Sequence, residues 1–322
     1  MLKIGKLVGE PLAIPDGFSH KIYAVRTTQG KYAIKALNPQ CMLQPSAIQK
    51  IITSEQIANI ASKRILAITA MKFNNKSVQE LDHQLYLVFN WTPGRNLDLN
   101  EITIEHNEKM GAILADIHMT DFSDVDIHSE YLTYKPQIDW KFYLQQGKNC
   151  KAVWVDLLEE SIDVLYNYYL QAVEAGKSLE SITVISHRNL DSRNVMWCNY
   201  NPTIVDWEDA GLVNPFYDFV NTAIHWSKNE TGDIDKDKFF AFAHSYKKKH
   251  GAINANWRTI LYKRLIEPLD WLEYSLKRSL KIDCADEEEQ QVGTDHVFYM
   301  IEKEIIPYAD KIDILENLLN EI

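Results

Sequence analysis

The sequence predicts an α+β protein in which a small β-rich lobe precedes a larger helical lobe. Alternating apolar runs at residues 21–27 and 31–37 predict two strands that are joined by a glycine-containing turn. A third apolar run, residues 85–91, ends near a Pro-Gly dipeptide that breaks the strand. After this break the apolar residues recur mainly at helical spacing, so we expect the lobes to cover residues 1–92 and 93–322.

The composition is ordinary for a soluble globular protein. The 322 residues are 46% hydrophobic and 25% charged, and the net charge is -11. This negative charge argues against nonspecific binding to nucleic acid or to an anionic membrane, and it is compatible with a cationic substrate. We therefore expect neither nucleic acid nor membrane among the partners.

The cysteines and the N-terminus favour a cytoplasmic protein. The four cysteines are widely spaced and form no C-x-x-C pair, so they suggest neither a zinc site nor a redox motif. The N-terminus lacks the apolar core of a signal peptide. No run approaches the ~20 apolar residues that a membrane-spanning helix needs.

Two neighbouring stretches carry most of the polar chemistry. The first, residues 185–197, reads ISHRNLDSRNVMW, and the second, residues 203–209, reads TIVDWED. Short β-branched runs flank a polar loop and predict a hairpin with its turn at residues 199–202. The hairpin would gather carboxylate and amide oxygens. These are hard ligands that suit Mg²⁺, which usually takes few protein ligands and shares phosphate oxygens.

The two stretches resemble two motifs of the aminoglycoside phosphotransferase and choline kinase family. The first is similar to the catalytic loop H-x-D-x-x-x-x-N, and the second is similar to the D-[WF]-[ED] segment. The resemblance implies a two-lobed protein-kinase-like fold with a nucleotide and Mg²⁺ between the lobes. It also implies transfer of the γ-phosphoryl group of ATP or GTP to a small-molecule hydroxyl, in an aminoglycoside-like antibiotic or another small alcohol. A protein kinase fits less well, because the glycine-rich loop and the A-P-E segment are missing.

The same resemblance assigns roles within the hairpin. Asn194 and Asp206 would hold Mg²⁺ and through it bridge the β- and γ-phosphates. His187 would brace the loop by hydrogen bonding without transferring protons. Glu208 would either orient Asp206 or bind a second metal ion.

The central loop position is Asn189, where active relatives have Asp. That Asp accepts or orients the proton of the attacking hydroxyl, and an amide cannot take up a proton at neutral pH. General-base catalysis is typically worth ~10²–10⁴ in rate. Asp191 is an alternative base, although its place in an irregular loop gives no assurance that it reaches a substrate.

Three explanations of Asn189 stay open. The residue is a deliberate Asp-to-Asn change that inactivates a kinase, or it marks a natural nucleotide-binding pseudokinase that acts as a sensor or scaffold. The third explanation is catalysis mainly by positioning and electrostatics, in which Asn189 aligns the hydroxyl. Retention of Lys35, Asn194 and Asp206 favours preserved nucleotide binding.

The resemblance extends into the β-rich lobe. Lys35 lies in a strand similar to V-A-I-K, whose Lys pairs with the α- and β-phosphates. Lys35 lies on a strand face that is otherwise apolar, so its ammonium needs a partner. We expect an ion pair with Glu55, on an amphipathic helix within residues 46–64. The alternative for Glu55 is a simple exposed helix charge.

Further residues are implied in nucleotide binding. In the resemblance, residues 16–20 cover the phosphates with backbone N–H groups and the Ser19 hydroxyl, although this segment has a single glycine. Backbone groups near Phe89 to Trp91 would hydrogen-bond the adenine, and the side chains would form walls.

The acceptor is the least determined part of the sequence. In relatives the C-terminal helices form the acceptor site, and acidic or aromatic residues there could contact a cationic or aromatic acceptor. These residues are Glu267, Asp270, Trp271 and Glu273. For Trp271 we favour a buried position on a core helix.

Overall fold

The computed structural model describes residues 3–14, 20–44, 46–127, 137–284 and 286–322. The chain is mixed α+β, with an antiparallel sheet near the N-terminus and a mainly helical remainder, as the sequence predicts. The strands are β1 (Leu12–Ile14), β2 (Lys21–Thr27), β3 (Gly30–Ala36), β4 (Gln79–Leu81), β5 (Gln84–Asn90), β6 (Val184–Ser186), β7 (Val195–Cys198), β8 (Asn201–Ile204) and β9 (Gly211–Val213). The α-helices are α1 (Ala47–Ala61), α2 (Ile104–His118), α3 (Trp140–Cys150), α4 (Val155–Ser178), α5 (Pro215–Ser227), α6 (Lys236–His250), α7 (Trp257–Lys263), α8 (Ile266–Ser279), α9 (Glu287–Tyr299), α10 (Ile306–Asp310) and α11 (Ile312–Asn320).

The chain divides into two compact units. Unit 1 comprises Met1–His128, Val184–Val213 and Thr222–Ala252, and unit 2 comprises Ser129–Thr183, Asn214–Asn221 and Ile253–Ile322. The lobe boundary between residues 92 and 93 stays a prediction. Among the described residues, no helix combines the length and the apolar character needed to cross a membrane.

Unit 1 begins with a five-stranded sheet in the order β1-β2-β3-β5-β4. All neighbouring strands are antiparallel. β2 and β3 form the predicted hairpin, in which Thr27 lies opposite Gly30. In the same hairpin Lys35 lies opposite Ile22. The strand register therefore fixes the position of Lys35 within the sheet.

Helix α1 packs its apolar face against this sheet. Ile51 of α1 joins a buried cluster with Leu37 and Leu87, and burying each such side chain is worth about 1.5–3 kcal/mol. Glu55 lies one helical turn after Ile51, so it shares the buried face. The helix thus places the Glu55 carboxyl in the protein interior. There the positive charge of Lys35 acts to lower the pKa of Glu55.

Helices α2 and α6 of unit 1 approach each other closely. A Cβ added at Gly111 of α2 would overlap the backbone carbonyl oxygen of Phe242 in α6. Only glycine therefore allows this contact. His118 at the end of α2 hydrogen-bonds through Nδ1 to the Tyr246 hydroxyl at 2.9 Å, so this histidine is a packed residue.

The second polar stretch is joined to the first by the predicted hairpin of β7 and β8, but the turn is shorter than predicted. Cys198 pairs with Asn201, so the turn is the two residues Asn199 and Tyr200. Both have positive φ angles, 48° and 61°, as the tight hairpin turn with two left-handed residues requires. Pro202, predicted in the turn, lies in β8 opposite Trp197.

Unit 2 consists of helices around an apolar core, and Trp271 does not lie in that core. Leu269, Leu272 and Leu276 form the buried stripe of α8, each fully shielded from solvent. Trp271 is 49% exposed because it lies on the other side of the helix from this stripe. The prediction of a buried Trp271 is therefore wrong. Trp154 fills the core instead, and its Nε1 donates to the Ser279 hydroxyl at 2.8 Å.

Candidate active site

The hairpin of β7 and β8 places the two polar stretches side by side. The Val205 backbone N–H donates to the Asn194 carbonyl oxygen at 3.0 Å, so Asn194 and Asp206 lie on adjacent backbone segments. Next to the β7–β8 hairpin, β6 pairs with β9, and Ser186 lies opposite Gly211. The loop that carries His187 to Asn194 is therefore held between paired strands at both ends.

Asp206 has an unusual backbone conformation. Its φ angle is +59°, in the left-handed region that costs a non-glycine residue roughly 1–3 kcal/mol. Such a conformation persists only where surrounding contacts stabilise it. It directs the chain out of β8 at the point where the Asp206 carboxylate meets Lys35.

His187 fixes the base of the loop. The imidazole is fully buried, and its Nε2 donates to the Val205 carbonyl oxygen at 3.0 Å. The ring also packs edge-on against Trp207 with 4.7 Å between ring centroids. This hydrogen bond joins the first polar stretch to the second. The bracing role of His187 stays a prediction.

Two residues outside the motifs also hold the loop. The Asn96 side-chain N–H₂ group lies within 3.2 Å of three backbone carbonyl oxygens, those of Ser192, Arg193 and Val195. Trp226 donates its Nε1–H to the Leu190 carbonyl oxygen at 2.8 Å. Sequence reasoning missed both residues. The only sequence signal near Asn96 is the Pro-Gly break at residues 93–94, which indicates a turn and not its partner.

Lys35 bridges two carboxylates. Its Nζ lies 2.7 Å from Asp206 Oδ1 and 2.6 Å from Glu208 Oε2. Lys35 is 7% exposed, and burial alone would lower the pKa of its ammonium. The charges and hydrogen bonds of the two carboxylates outweigh burial and raise this pKa above its ordinary value of 10.5. The ammonium is therefore charged at neutral pH.

The predicted ion pair between Lys35 and Glu55 is replaced by this bridge. Glu55 Oε2 instead accepts the Ala70 backbone N–H at 2.7 Å. Burial raises the pKa of Glu55 to about 7, although the Ala70 hydrogen bond and the charge of Lys35 both act to lower it. The Lys35 ammonium instead hydrogen-bonds directly to the carboxylates of Asp206 and Glu208.

Glu208 also contacts His20, a pairing that the sequence analysis did not predict. Its Oε2 lies 3.3 Å from His20 Nε2. His20 Nδ1 accepts the Asn38 backbone N–H at 3.0 Å, so the proton of a neutral ring is on Nε2 and points to Glu208. Burial acts to raise the pKa of Glu208, but the His20 hydrogen bond and the Lys35 charge lower it to about 2.

Asp191 is committed to a local structural role. Its Oδ1 accepts the Arg193 backbone N–H at 2.9 Å, and its Oδ2 accepts the Arg193 Nε–H at 2.9 Å. The residue is 7% exposed. It therefore caps the short 3-10 turn that leads to Asn194 and is a poor candidate for the missing base.

Asn189, in the first stretch, contacts Asp209 of the second stretch. Its carbonyl oxygen accepts the Asn194 Nδ2–H at 2.8 Å, and its own Nδ2 lies 3.5 Å from Asp209 Oδ2. Asp209 was not among the predicted site residues. The sequence signal was its place directly after Glu208 in an acidic run.

Asn194 and Asp206 carry the oxygen atoms that could hold a divalent cation. Because the Asn194 Nδ2 donates to Asn189, the Oδ1 of the same amide is the atom left for a cation. Asp206 contributes a carboxylate whose Oδ1 is paired with Lys35. In the part of the chain that the structure describes, no group of three or more His, Cys, Asp or Glu could hold a metal ion. Two hard protein ligands suit a Mg²⁺ ion that keeps waters and phosphate oxygens.

The family of the chain follows from a match that contains this whole site. A sequence model of the phosphotransferase enzyme family (APH) matches residues 11–252, which include Lys35 and both polar stretches. The chain belongs to the phosphotransferase enzyme family. None of the curated protein sequences is significantly similar to it.

Solved structures share the fold of this phosphotransferase family member. The microcompartment-associated aminopropanol kinase has a TM-score of 0.66 and 13% identity, over 98% of this chain and 96% of that one. A spectinomycin phosphotransferase in complex with ADP and spectinomycin has a TM-score of 0.65 and 12% identity, over 96% and 92%. Plasmodium vivax ethanolamine kinase has a TM-score of 0.60 and 15% identity, over 94% and 84%. The chain therefore has the kinase-like α+β fold.

The structure brings some of the predicted nucleotide-site residues together. Phe89 lines a small cavity together with Lys35 and Glu55, and the cavity also contacts Asp206 and Trp207. Ser19 lies outside the described residues. Trp91 has a different environment, described next.

Trp91 is engaged with the neighbouring strand. Its backbone N–H donates to the Lys31 carbonyl oxygen at 3.1 Å, and the Lys31 ammonium lies 3.3 Å from the centroid of its indole ring. The Trp91 N–H is therefore already satisfied within the sheet region. Its role in adenine binding stays a prediction.

Proposed function

We propose that this family member transfers the γ-phosphoryl group of ATP or GTP to a hydroxyl group of a small molecule, with Mg²⁺. The observation that carries the proposal is the buried Lys35 ammonium held against Asp206 and Glu208. A fixed cation beside a carboxylate at the end of a polar loop supplies what phosphoryl transfer needs, namely contacts for phosphate oxygens and a ligand for the metal ion.

Each predicted residue has a part in this proposal. Lys35 would contact the phosphates, and Asn194 and Asp206 would hold Mg²⁺, which neutralises charge on the β- and γ-phosphoryl oxygens when it is bound. His187 would hold the loop next to Val205 through its hydrogen bond to the Val205 carbonyl oxygen. The remaining proposed nucleotide contacts are Glu55, Ser19, Phe89 and Trp91.

The acceptor is proposed to be an aminoglycoside-like antibiotic or another small alcohol, and an amine-bearing one in particular. The fold neighbours are named for spectinomycin, ethanolamine and aminopropanol, and the last two are amino alcohols. The net charge of -11 is compatible with a cationic ligand. The exposed Trp271, on a helix that also carries Glu267 and Asp270, offers an aromatic face for a cation.

A second candidate function is nucleotide binding without turnover, as in a sensor or scaffold. Asn189 favours this candidate, because an amide cannot accept the acceptor proton. The same residue would also account for an inactivated form of an active kinase. Both candidates predict the same nucleotide binding, so they differ only in turnover.

Nucleotide binding is tested by thermal unfolding. The native chain, Asp206→Ala and the control Asp163→Ala are compared with ATP and with GTP, each with and without Mg²⁺. Asp163 is an exposed residue of α4, so the control removes a carboxylate remote from Lys35 in the sequence. A ligand at 100 times its Kd stabilises by ~2.7 kcal/mol.

We expect one of the nucleotides to raise the Tm of the native chain and of Asp163→Ala in a Mg²⁺-dependent manner. The increment, taken relative to each variant's own ligand-free Tm, should disappear in Asp206→Ala. No increment with either nucleotide, or an equal increment in Asp206→Ala, would overturn the proposed site.

A further inference from the structure

The two polar stretches contain four carboxylates, and three of them are already occupied. Asp191 caps a short turn and pairs with Arg193. Asp206 and Glu208 share the Lys35 ammonium. Each of these three carboxylates therefore has at least one oxygen atom hydrogen-bonded to a basic side chain.

The fourth carboxylate, Asp209, is placed differently. The Ala210 N–H donates to the Trp207 carbonyl oxygen at 2.9 Å, and this turn carries Asp209 back toward the loop. Its Oδ2 lies 3.5 Å from Asn189 Nδ2, and its Oδ1 lies 3.4 Å from Lys50 Nζ. The side chains of Asp209 and Lys50 are 47% and 44% exposed, so their contact is a long surface ion pair of small energetic worth.

These contacts place a solvent-accessible carboxylate beside the loop position at which a carboxylate is missing. The Asn189 amide turns its N–H₂ group toward Asp209, which leaves its Oδ1 as a hydrogen-bond acceptor. A substrate hydroxyl bound beside Asn189 would therefore also be close to the Asp209 carboxylate, which lies 3.5 Å from Asn189 Nδ2.

We propose that Asp209 supplies the carboxylate that position 189 lacks, with the Asn189 amide holding it in place. This inference rests on the proposed phosphotransferase function. The acceptor oxygen forms a bond to the γ-phosphorus, and the bond from that phosphorus to the β,γ-bridging oxygen breaks. The nucleoside diphosphate leaves with the bonding electron pair, and the acceptor's proton passes to the Asp209 carboxylate and then to water.

A double-mutant cycle tests this assignment. The native chain, Asp209→Asn, Asn189→Asp and the variant with both changes are assayed for Mg²⁺-dependent phosphoryl transfer from ATP and GTP. Water is one acceptor, followed through released inorganic phosphate, and a panel of aminoglycosides and amino alcohols provides the others. Lys50→Gln is the control, because it removes the surface partner of Asp209 and leaves the carboxylate in place.

We expect Asp209→Asn to lower turnover by ~10²-fold or more, the lower end of what general-base catalysis contributes. The variant with both changes should recover to within ~3-fold of Asn189→Asp, because either carboxylate then suffices. A structural defect would not be rescued in this way. Lys50→Gln should stay within ~3-fold of the native chain, and Asp209→Asn should keep the Tm increment with Mg²⁺ and nucleotide.

Three results would overturn the assignment. If Asp209→Asn keeps native turnover, Asp209 takes no part in the reaction. If Asp209→Asn lowers turnover equally in the native chain and in Asn189→Asp, the effect of the substitution is structural. A native chain that binds nucleotide without transferring phosphate, while Asn189→Asp transfers it, shows that nothing replaces the missing base.

Failure of the proposed function has a different signature. In that case Mg²⁺ and nucleotide give no Tm increment in any variant, and Asn189→Asp transfers no phosphate either. The inference about Asp209 then fails with it.

Discussion

Lys35 Nζ lies 2.7 Å from Asp206 Oδ1 and 2.6 Å from Glu208 Oε2, so one buried ammonium bridges two carboxylates. This relationship joins strand β3 to the segment that follows β8. A nucleotide approaching Lys35 therefore meets nearby negative charge, and a metal ion approaching Asp206 meets a cation. The metal ion offsets the carboxylate charge that repels the nucleotide, and the phosphate offsets the Lys35 charge that repels the metal ion. We therefore expect nucleotide binding to depend on Mg²⁺.

Removing the Lys35 ammonium should destabilise the protein. Lys35→Met leaves two carboxylates facing each other without a cation, and breaking a buried pair in this way costs about 3–5 kcal/mol. The side chains of Asp206 and Glu208 are 37% and 27% exposed, so solvent screening reduces the expected loss to about 1–3 kcal/mol. Urea unfolding at pH 7 measures this loss.

The matched variant for this prediction is Lys35→Met combined with Asp206→Asn and Glu208→Gln. It removes the carboxylate charges along with the ammonium, so part of the lost stability should return. A Lys35→Met variant within 0.5 kcal/mol of the native chain, an order-of-magnitude limit for a neutral surface change, would contradict the bridge.

Glu55 should make stability fall as the pH rises. Its pKa is about 7 in the folded protein and 4.5 ordinarily, so between these values the folded state binds more protons than the unfolded state. The unfolding free energy therefore decreases from pH 4.5 to pH 7, and the protonated form's contribution is fully present only below pH 4.5. Glu55→Gln cannot titrate, and its amide oxygen can still accept the Ala70 N–H.

The measurable quantity is the stability difference between Glu55→Gln and the native chain across pH. We expect little change in this difference below pH 4.5, a shift toward the variant between pH 4.5 and 7, and a plateau above pH 7. The total shift should be on the order of 3 kcal/mol, since one pKa unit corresponds to about 1.4 kcal/mol. Parallel stability curves from pH 4 to 8 would show that Glu55 ionises normally.

Gly111 should be intolerant of alanine. The added methyl group would overlap the Phe242 carbonyl oxygen, which belongs to a helix backbone and cannot move aside cheaply. We expect a loss of about 1–3 kcal/mol from overpacking, although alanine has the higher helix propensity. The matched control is Gly176→Ala in α4, where the nearest neighbour is a flexible Lys263 side chain at 3.5 Å.

Gly176→Ala should stabilise by about 0.5–1 kcal/mol through helix propensity alone. Thermal or urea unfolding of the two variants gives both values. Equal effects at positions 111 and 176 would mean that α2 and α6 are not in close backbone contact.

Asn96 should hold the loop in place. Asn96→Ala removes a donor shared by three backbone carbonyl oxygens, and we expect a loss of about 1–3 kcal/mol. Asn100→Ala is the control, because Asn100 is exposed in the same segment. Hydrogen exchange should show faster exchange at the Asn194 amide in Asn96→Ala than in Asn100→Ala. Unchanged exchange in both variants would indicate that Asn96 does not secure the loop.

Local patterns were sufficient for much of the fold. The β2–β3 hairpin, helix α1 and the β7–β8 hairpin follow from apolar periodicity and turn residues, which act over a few positions. The length of the second turn was missed, because Asn199 and Tyr200 both adopt left-handed conformations that sequence alone rarely indicates.

The candidate site was harder to predict where partners are distant in sequence. Lys35 was predicted as a site residue because it lies in a recognisable strand. Three carboxylates lie near its ammonium, however, and only packing decides which of them contact it. His20 and Asn96 were missed for the same reason, since each contacts a segment far along the chain. Trp271 was misplaced because helical periodicity alone did not show which face of α8 is covered.

The most direct test of the account is an assay of phosphoryl transfer with γ-labelled ATP and GTP, Mg²⁺ and a panel of aminoglycosides and amino alcohols. We predict that the native chain moves label onto at least one acceptor, with an equal amount of nucleoside diphosphate, and that Asp206→Ala does not. Nucleotide binding without label transfer to any acceptor, by either the native chain or Asn189→Asp, would contradict it.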